Sequence, residues 1–119
     1  MYIGELCRLT GATQRAIHHY ENIGLIPKPQ RKGKYRIYTN EYVALINIIK
    51  KAQSVGFKLD ELMLLIQEKS ISNRFPVAMA EKMINNKRRK LREQIMKIEK
   101  LDQDLAELHI GIMEIFNEP

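Results

Sequence analysis

The sequence predicts an all-α fold with one small β-hairpin wing: a winged helix-turn-helix domain followed by a long C-terminal dimerisation helix. Three features point there. Two short apolar stripes at helical spacing flank Thr10-Gly11-Ala12. A proline-bounded stretch alternates around Gly33 in the manner of a hairpin. Beyond Pro76 there is a single glycine, Gly111, and an apolar seam at coiled-coil spacing. The chain accordingly divides into a winged helix-turn-helix head over residues 1–70, a hinge over 71–76 and a helix over 77–119.

In order, Ile3, Leu6 and Leu9 form the stripe of a first helix that stops at Gly11, a residue able to supply the positive φ of a tight turn. Thr13 then offers a hydroxyl to an unpaired backbone N–H and caps a second helix, with Ile17, Tyr20 and Ile23 or Gly24 on one side. Pro27 and Pro29 forbid helix, and residues 28–38 read as a hairpin with Gly33 at its tip. Thr39 is placed to cap a third helix to about Val55, marked by Val43, Ile46, Ile49, Lys50 and Gln53 and closed by Gly56. A fourth runs from Leu59 to about Glu68, with Leu62, Leu65 and Ile66 as its apolar face. Ser70 to Pro76, with Asn73, breaks the pattern and supplies the hinge. The long helix then carries Ile84 and Leu91, seven apart, followed by Ile98, Leu101, Leu105, Leu108, Ile112 and Ile115 at 3-4-3-4-3 spacing. So narrow a stripe is satisfied by a partner helix, and a homodimer is the simplest source of one.

Charge says more by its position than by its sum. The net charge is +6; residues 1–75 hold 12 basic side chains against 6 acidic, and residues 76–119 hold 8 against 8. An excess confined to the head suggests a polyanion, nucleic acid before anionic membrane surface. Lys28, Arg31, Lys32, Lys34 and Arg36 fall within nine residues that contain no acid, which makes the hairpin the first candidate for touching phosphate. In the long helix, residues 77–100 carry all 8 bases and 101–119 carry Asp102, Asp104, Glu107, Glu114 and Glu118 with none. Antiparallel pairing would set each basic half against an acidic one, whereas parallel pairing would stack like on like. No run approaches the roughly 18 apolar residues of a membrane span. The N-terminus lacks the pattern of a signal peptide, and a lone cysteine suits a reducing compartment, so a cytoplasmic location is expected.

On the second helix, Gln14, Arg15, His18, His19 and Asn22 lie away from the apolar stripe. Gln14 and Arg15 occupy the first turn, the part of a recognition helix that reaches base edges, and their side chains suit adenine and guanine respectively. A solvated polar face is the plain alternative, and the basic hairpin just downstream favours DNA. No metal site is expected: His18 and His19 are adjacent, point about 100° apart and have no ligand at i+4. His109 stands alone on the long helix as a surface or seam residue. Cys7 borders the first apolar stripe and reads as a small buried hydrophobe rather than a redox sensor. The run Lys87, Arg88, Arg89, Lys90, Arg92 reads as a solvated or partner-facing flank. There is no phosphate loop, Ser-His-Asp order or carboxylate cluster, so no enzyme and no cofactor is expected.

Ile3-Gly4-Glu5-Leu6 with Thr10-Gly11, then Arg15, Ile17, Tyr20-Glu21, Gly24-Leu25-Ile26 and Pro27, resembles the helix-turn-helix of the MerR family of bacterial transcription regulators. Arg31, Gly33, Tyr35-Arg36 and Tyr38 resemble its wing, and Gly56-Phe57, Leu59 and Glu61-Leu62 the start of its fourth helix. The likeness spans residues 3 to about 69 in unbroken order. It implies a regulator that binds a pseudo-palindromic promoter operator as a homodimer and distorts the spacer DNA so that RNA polymerase can use both promoter elements. Arg15, Tyr20, Arg36 and Tyr38 would then be DNA-facing or wing-positioning, and Lys58 would add a phosphate contact. The full candidate DNA-binding set is Thr13, Gln14, Arg15, His18, His19 and Tyr20, with Arg31, Lys34, Arg36, Tyr38 and Lys58.

Two departures stand out. The family often has Arg-Tyr-Tyr where this chain has His18-His19-Tyr20, so these contacts are expected to be weaker and more pH-sensitive. Tyr42 stands where the family often has Asp. Members that sense copper or mercury use C-terminal cysteines, and this chain has none, which excludes that form of sensing by composition. The chain ends directly after the dimer helix, so an effector site is expected to be built from the dimer itself. A competing reading is an architectural or hetero-partnered coiled-coil DNA-binding factor without an inducer.

Overall fold

A computed structural model of the chain describes residues 1–72 and 74–117, with residues 70–72 described by their backbone alone. Asn73 of the expected hinge and Glu118 of the acidic half lie outside the described residues. The chain divides into two compact units, Met1–Pro76 and Val77–Pro119.

The first unit opens with α1 (Ile3–Thr10), closed by Gly11 at φ 71, whose N–H donates to the Cys7 carbonyl. The inward stripe differs slightly from the expected one. Leu6 is fully buried and Thr10 nearly so, while Leu9 is 43% exposed, because after Leu6 the 3.6-residue repeat brings position 10 inward rather than position 9. Burial of the Thr10 hydroxyl is compensated twice: it donates to the Leu6 carbonyl at 2.8 Å and accepts from the Ala12 N–H at 3.2 Å. Helix α2 (Gln14–Asn22) starts as its sequence directs, with the Thr13 hydroxyl accepting from Ala16 N–H at 3.1 Å.

After the buried pair Leu25 and Ile26 the chain is extended, and β1 (Gln30–Lys32) pairs antiparallel with β2 (Tyr35–Ile37), Arg31 standing opposite Arg36. Gly33 turns the hairpin at φ 63. Helix α3 (Asn40–Ser54) follows. Thr39 occupies its N-cap position with extended backbone, yet its side chain makes no capping bond, so Glu41 in the first turn is the favourable element at that end. Helix α4 (Leu59–Ser72) is capped by Glu61, whose carboxylate accepts the Lys58 N–H at 2.9 Å. It passes the expected end at Glu68, since Ser70 to Ser72 are merely neutral toward helix and the first true breaker is Pro76.

The core of this unit draws on every helix: Leu6, Ile17, Ile26, Tyr38 and Ile46 are its most deeply buried side chains, with Ile49 and Leu62 beside them. Cys7 is half-buried and packs against it. Two polar links tie α3 to the first two helices. Lys50 Nζ donates to the Thr10 carbonyl at 2.7 Å, satisfying the C-terminal end of α1, and the Tyr20 hydroxyl donates to Gln53 Oε1 at 3.0 Å.

The second unit is one helix, α5 (Val77–Phe116), 40 residues and hence about 60 Å long. None of its residues is buried on the single chain. Ile84, Leu91, Ile98, Leu101, Leu105, Leu108, Ile112 and Ile115 are each between 45% and 75% exposed. No helix of the described residues is long and apolar enough to cross a membrane.

Candidate nucleic-acid interface

The polar side of α2 forms an open groove lined by Gln14, Arg15, His18, His19 and Asn22, all from one helix and with no acid among them. Thr13, Gln14, Arg15 and His19 are exposed and His18 is half-buried. The spacing explains the face: with Ile17, Tyr20 and Glu21 turned inward, positions 14, 15, 18, 19 and 22 are those left outside. Among the described residues no acid pairs with Arg15, so its guanidinium is open to an external acceptor.

The wing stands next to the start of this helix. Tyr35, at the top of β2, shares a groove with Tyr2, Ile3 and Gln14, and packs edge-on against Tyr2 with ring centroids 5.9 Å apart. Lys34 Nζ lies 5.6 Å from the centre of the Tyr35 ring. Arg31 and Lys34 are exposed, and so is Lys58 at the start of α4, whose backbone rather than side chain is engaged in the cap. Arg36 is different. Its Nε donates to Glu21 Oε1 at 3.3 Å and lies 3.2 Å from Oε2 without hydrogen-bond alignment.

Two of the candidate residues are placed inside. Tyr20 is only 7% exposed and spends its hydroxyl on Gln53; Tyr38 is 1% exposed, a core ring stacked edge-on against Tyr42 at 5.1 Å. Both side chains are thus turned into the head rather than onto its surface. Tyr38 positions the wing instead: its backbone exchanges hydrogen bonds with Met1, and its ring anchors the end of β2 in the core. Burial pushes the Tyr20 phenol above its usual range, and pushes up that of Tyr38 with help from the neighbouring Glu21 carboxylate. Tyr42, whose hydroxyl donates to the Pro27 carbonyl, is raised for the same two reasons, burial first.

Sequence reasoning missed Tyr2, and named Glu21 and Tyr35 only as part of the family resemblance, without a role. The signal for Glu21 was present, since an acid four residues after Ile17 and beside Tyr20 falls on the buried side of the helix, where a charge requires a partner. His18 and His19 are adjacent on α2, and no group of three or more His, Cys, Asp or Glu side chains among the described residues is placed to hold a metal.

Helix, three-residue turn, helix and an arginine-bearing hairpin define a winged helix-turn-helix protein, and two family models agree with that class. One, described as MerR HTH family regulatory protein, matches residues 1–69; the other, described as MerR, DNA binding, matches residues 43–108. The chain belongs to the MerR family.

Among curated relatives it is similar to the mercuric resistance operon regulatory protein of Bacillus cereus, 43% identical over 61 residues, which is 50% of this chain and 46% of that protein. It is also similar to the HTH-type transcriptional regulator CueR of Escherichia coli, 37% identical over 62 residues, or 51% of this chain and 46% of CueR. The matches thus span about half of this chain and less than half the length of those relatives. Among solved structures, the transcription regulator PbrR691 from Ralstonia metallidurans CH34, in complex with lead(II), shares the fold with a TM-score of 0.63 at 21% identity, over 92% of this chain and 85% of that one. MtaN, the N-terminal part of the Bacillus subtilis multidrug transporter activator, does so at a TM-score of 0.56 and 24% identity, over 88% and 97%.

Proposed function

We propose that this chain is a sequence-specific, DNA-binding transcription regulator that acts as a homodimer on a pseudo-palindromic promoter operator in the cytoplasm. The observation that carries the reading is the acid-free groove of Gln14, Arg15, His18, His19 and Asn22 beside an arginine-bearing wing, in a member of the MerR family. In this reading α2 lies in the major groove, with Arg15 and Gln14 at base edges and Thr13, His18 and His19 nearer the backbone. Arg31, Lys34, Arg36 and Lys58 meet phosphates, while Tyr20 and Tyr38 hold the reading helix and the wing in place.

The dimer is made by the exposed seam of α5 from Ile84 to Ile115, two copies running antiparallel so that each basic half meets an acidic half. Residues 1–70 form the DNA-binding head, 71–76 the hinge and 77–119 the dimer helix. Phosphate clamps on both sides of a site are what a protein that bends or untwists DNA needs, and they support distortion of the promoter spacer in front of RNA polymerase. Footprinting with and without polymerase tests this. A regulator protects one spacer between promoter elements, and polymerase extends that footprint; protection of many unrelated sites would favour an architectural factor instead.

A further inference from the structure

Glu21 is a carboxylate on the reading helix that is only 7% exposed, and its described cation is Arg36, which belongs to the wing. A buried carboxylate is tolerated only with such a partner. The guanidinium has two distinct edges. Its Nε edge is engaged by Glu21, and its two terminal amino groups have no hydrogen bond among the described residues, on a side chain still 30% exposed. Directly across the hairpin stands Arg31, a like charge that would push Arg36 aside if nothing held it.

We propose that Glu21 is a positioning residue of the DNA interface: by binding Arg36 through Nε, it presents the terminal amino groups to a backbone phosphate at a fixed place relative to Arg15 on the same helix. Reading helix and wing are thereby set on the DNA as one piece. This role rests on the reading of the chain as a DNA binder.

The sign of one substitution separates this role from its alternatives. Glu21→Gln removes a negative charge close to the DNA-facing surface, so a bystander carboxylate predicts equal or tighter binding. A merely structural carboxylate predicts a lower melting temperature with unchanged affinity per folded molecule. Positioning predicts the opposite of the first and more than the second. Titrating the full chain onto a mixed-sequence duplex of about thirty base pairs, enough for both half-sites, Glu21→Gln should bind about tenfold more weakly, with a salt slope shallower by about two, one phosphate for each protomer. Added to Arg36→Ala it should cost nothing further.

Arg36→Lys gives a second reading should Glu21→Gln not fold. A single ammonium cannot serve carboxylate and phosphate along two edges, so affinity should fall by about the same factor although the charge is kept. Glu21→Gln binding as well as or better than the wild type, or Arg36→Lys binding at the wild-type level, would overturn the positioning role while leaving DNA binding intact. A wild-type chain that binds no duplex would remove the underlying reading and this role with it.

Discussion

The two units of this chain solve the problem of apolar side chains in opposite ways. In Met1–Pro76 two short helices, a hairpin and two longer helices enclose Leu6, Ile17, Ile26, Tyr38 and Ile46, each less than 2% exposed. In α5 a helix more than twice as long buries nothing, and every residue of its seam stays open on the single chain. A head that closes on itself can be specified by its own sequence; a seam that remains open specifies a contact with another chain. In the proposed reading, stability and recognition reside in one unit, and the doubling that a two-fold site demands resides in the other.

The largest expected effect comes from closing off that doubling. Leu105→Lys places a charge in the middle of the seam, and sedimentation should show a monomer whose head still binds DNA, but weaker by on the order of a hundredfold or more, because two linked contacts have become one. A dimer that persists in this variant would put the interface elsewhere. Next in size is Ile46→Ala, which empties a fully buried position in the head and should cost about 2–5 kcal/mol. The contrast with Leu105 sharpens the comparison: Ile46→Ala should melt lower yet stay dimeric, with a melting temperature that still rises with protein concentration, whereas the Leu105→Lys monomer should melt at a temperature independent of concentration.

Arg15→Ala should cost about 1–3 kcal/mol on the preferred site and narrow the gap between that site and random DNA. Equal loss on every sequence would remove Arg15 from base reading. The smallest effect belongs to Tyr38→Phe, since the buried hydroxyl it deletes has no hydrogen-bond partner and nearly all the packing is kept. Its signature lies at alkaline pH. With the phenol raised in the folded protein, chiefly by burial, the folded state keeps a proton the unfolded chain gives up above about pH 10, so stability falls as pH rises past that point. Tyr38→Phe removes this share, and its denaturation midpoint should decline less steeply there than that of the wild type.

Much of the head could be read from local chemistry. Gly11 and Gly33 mark two turns that need positive φ, Thr13 caps the helix it precedes, and the polar set on α2 emerges on one face. What remained hidden depends on contacts between segments distant in sequence. Tyr20 and Tyr38 look like interface residues in a linear reading, since a tyrosine suits either a phosphate or a core; only packing against Gln53 and Tyr42 places them inside. Glu21 and Arg36 are 15 residues apart, and no periodicity links a helix to a strand. The end of α4 was obscured for another reason, as polar residues weaken an amphipathic pattern without stopping a helix.

Selection of binding sites from a randomised duplex pool with the full-length chain tests the central claim most directly, because it asks at once whether the head reads bases and whether the long helix supplies two heads. The expected outcome is an inverted repeat whose half-site centres are separated by about one or two helical turns, lost in favour of a single weak half-site when Leu105→Lys is used. Enrichment of one asymmetric element by the wild-type chain, or no enrichment at all, would contradict the account.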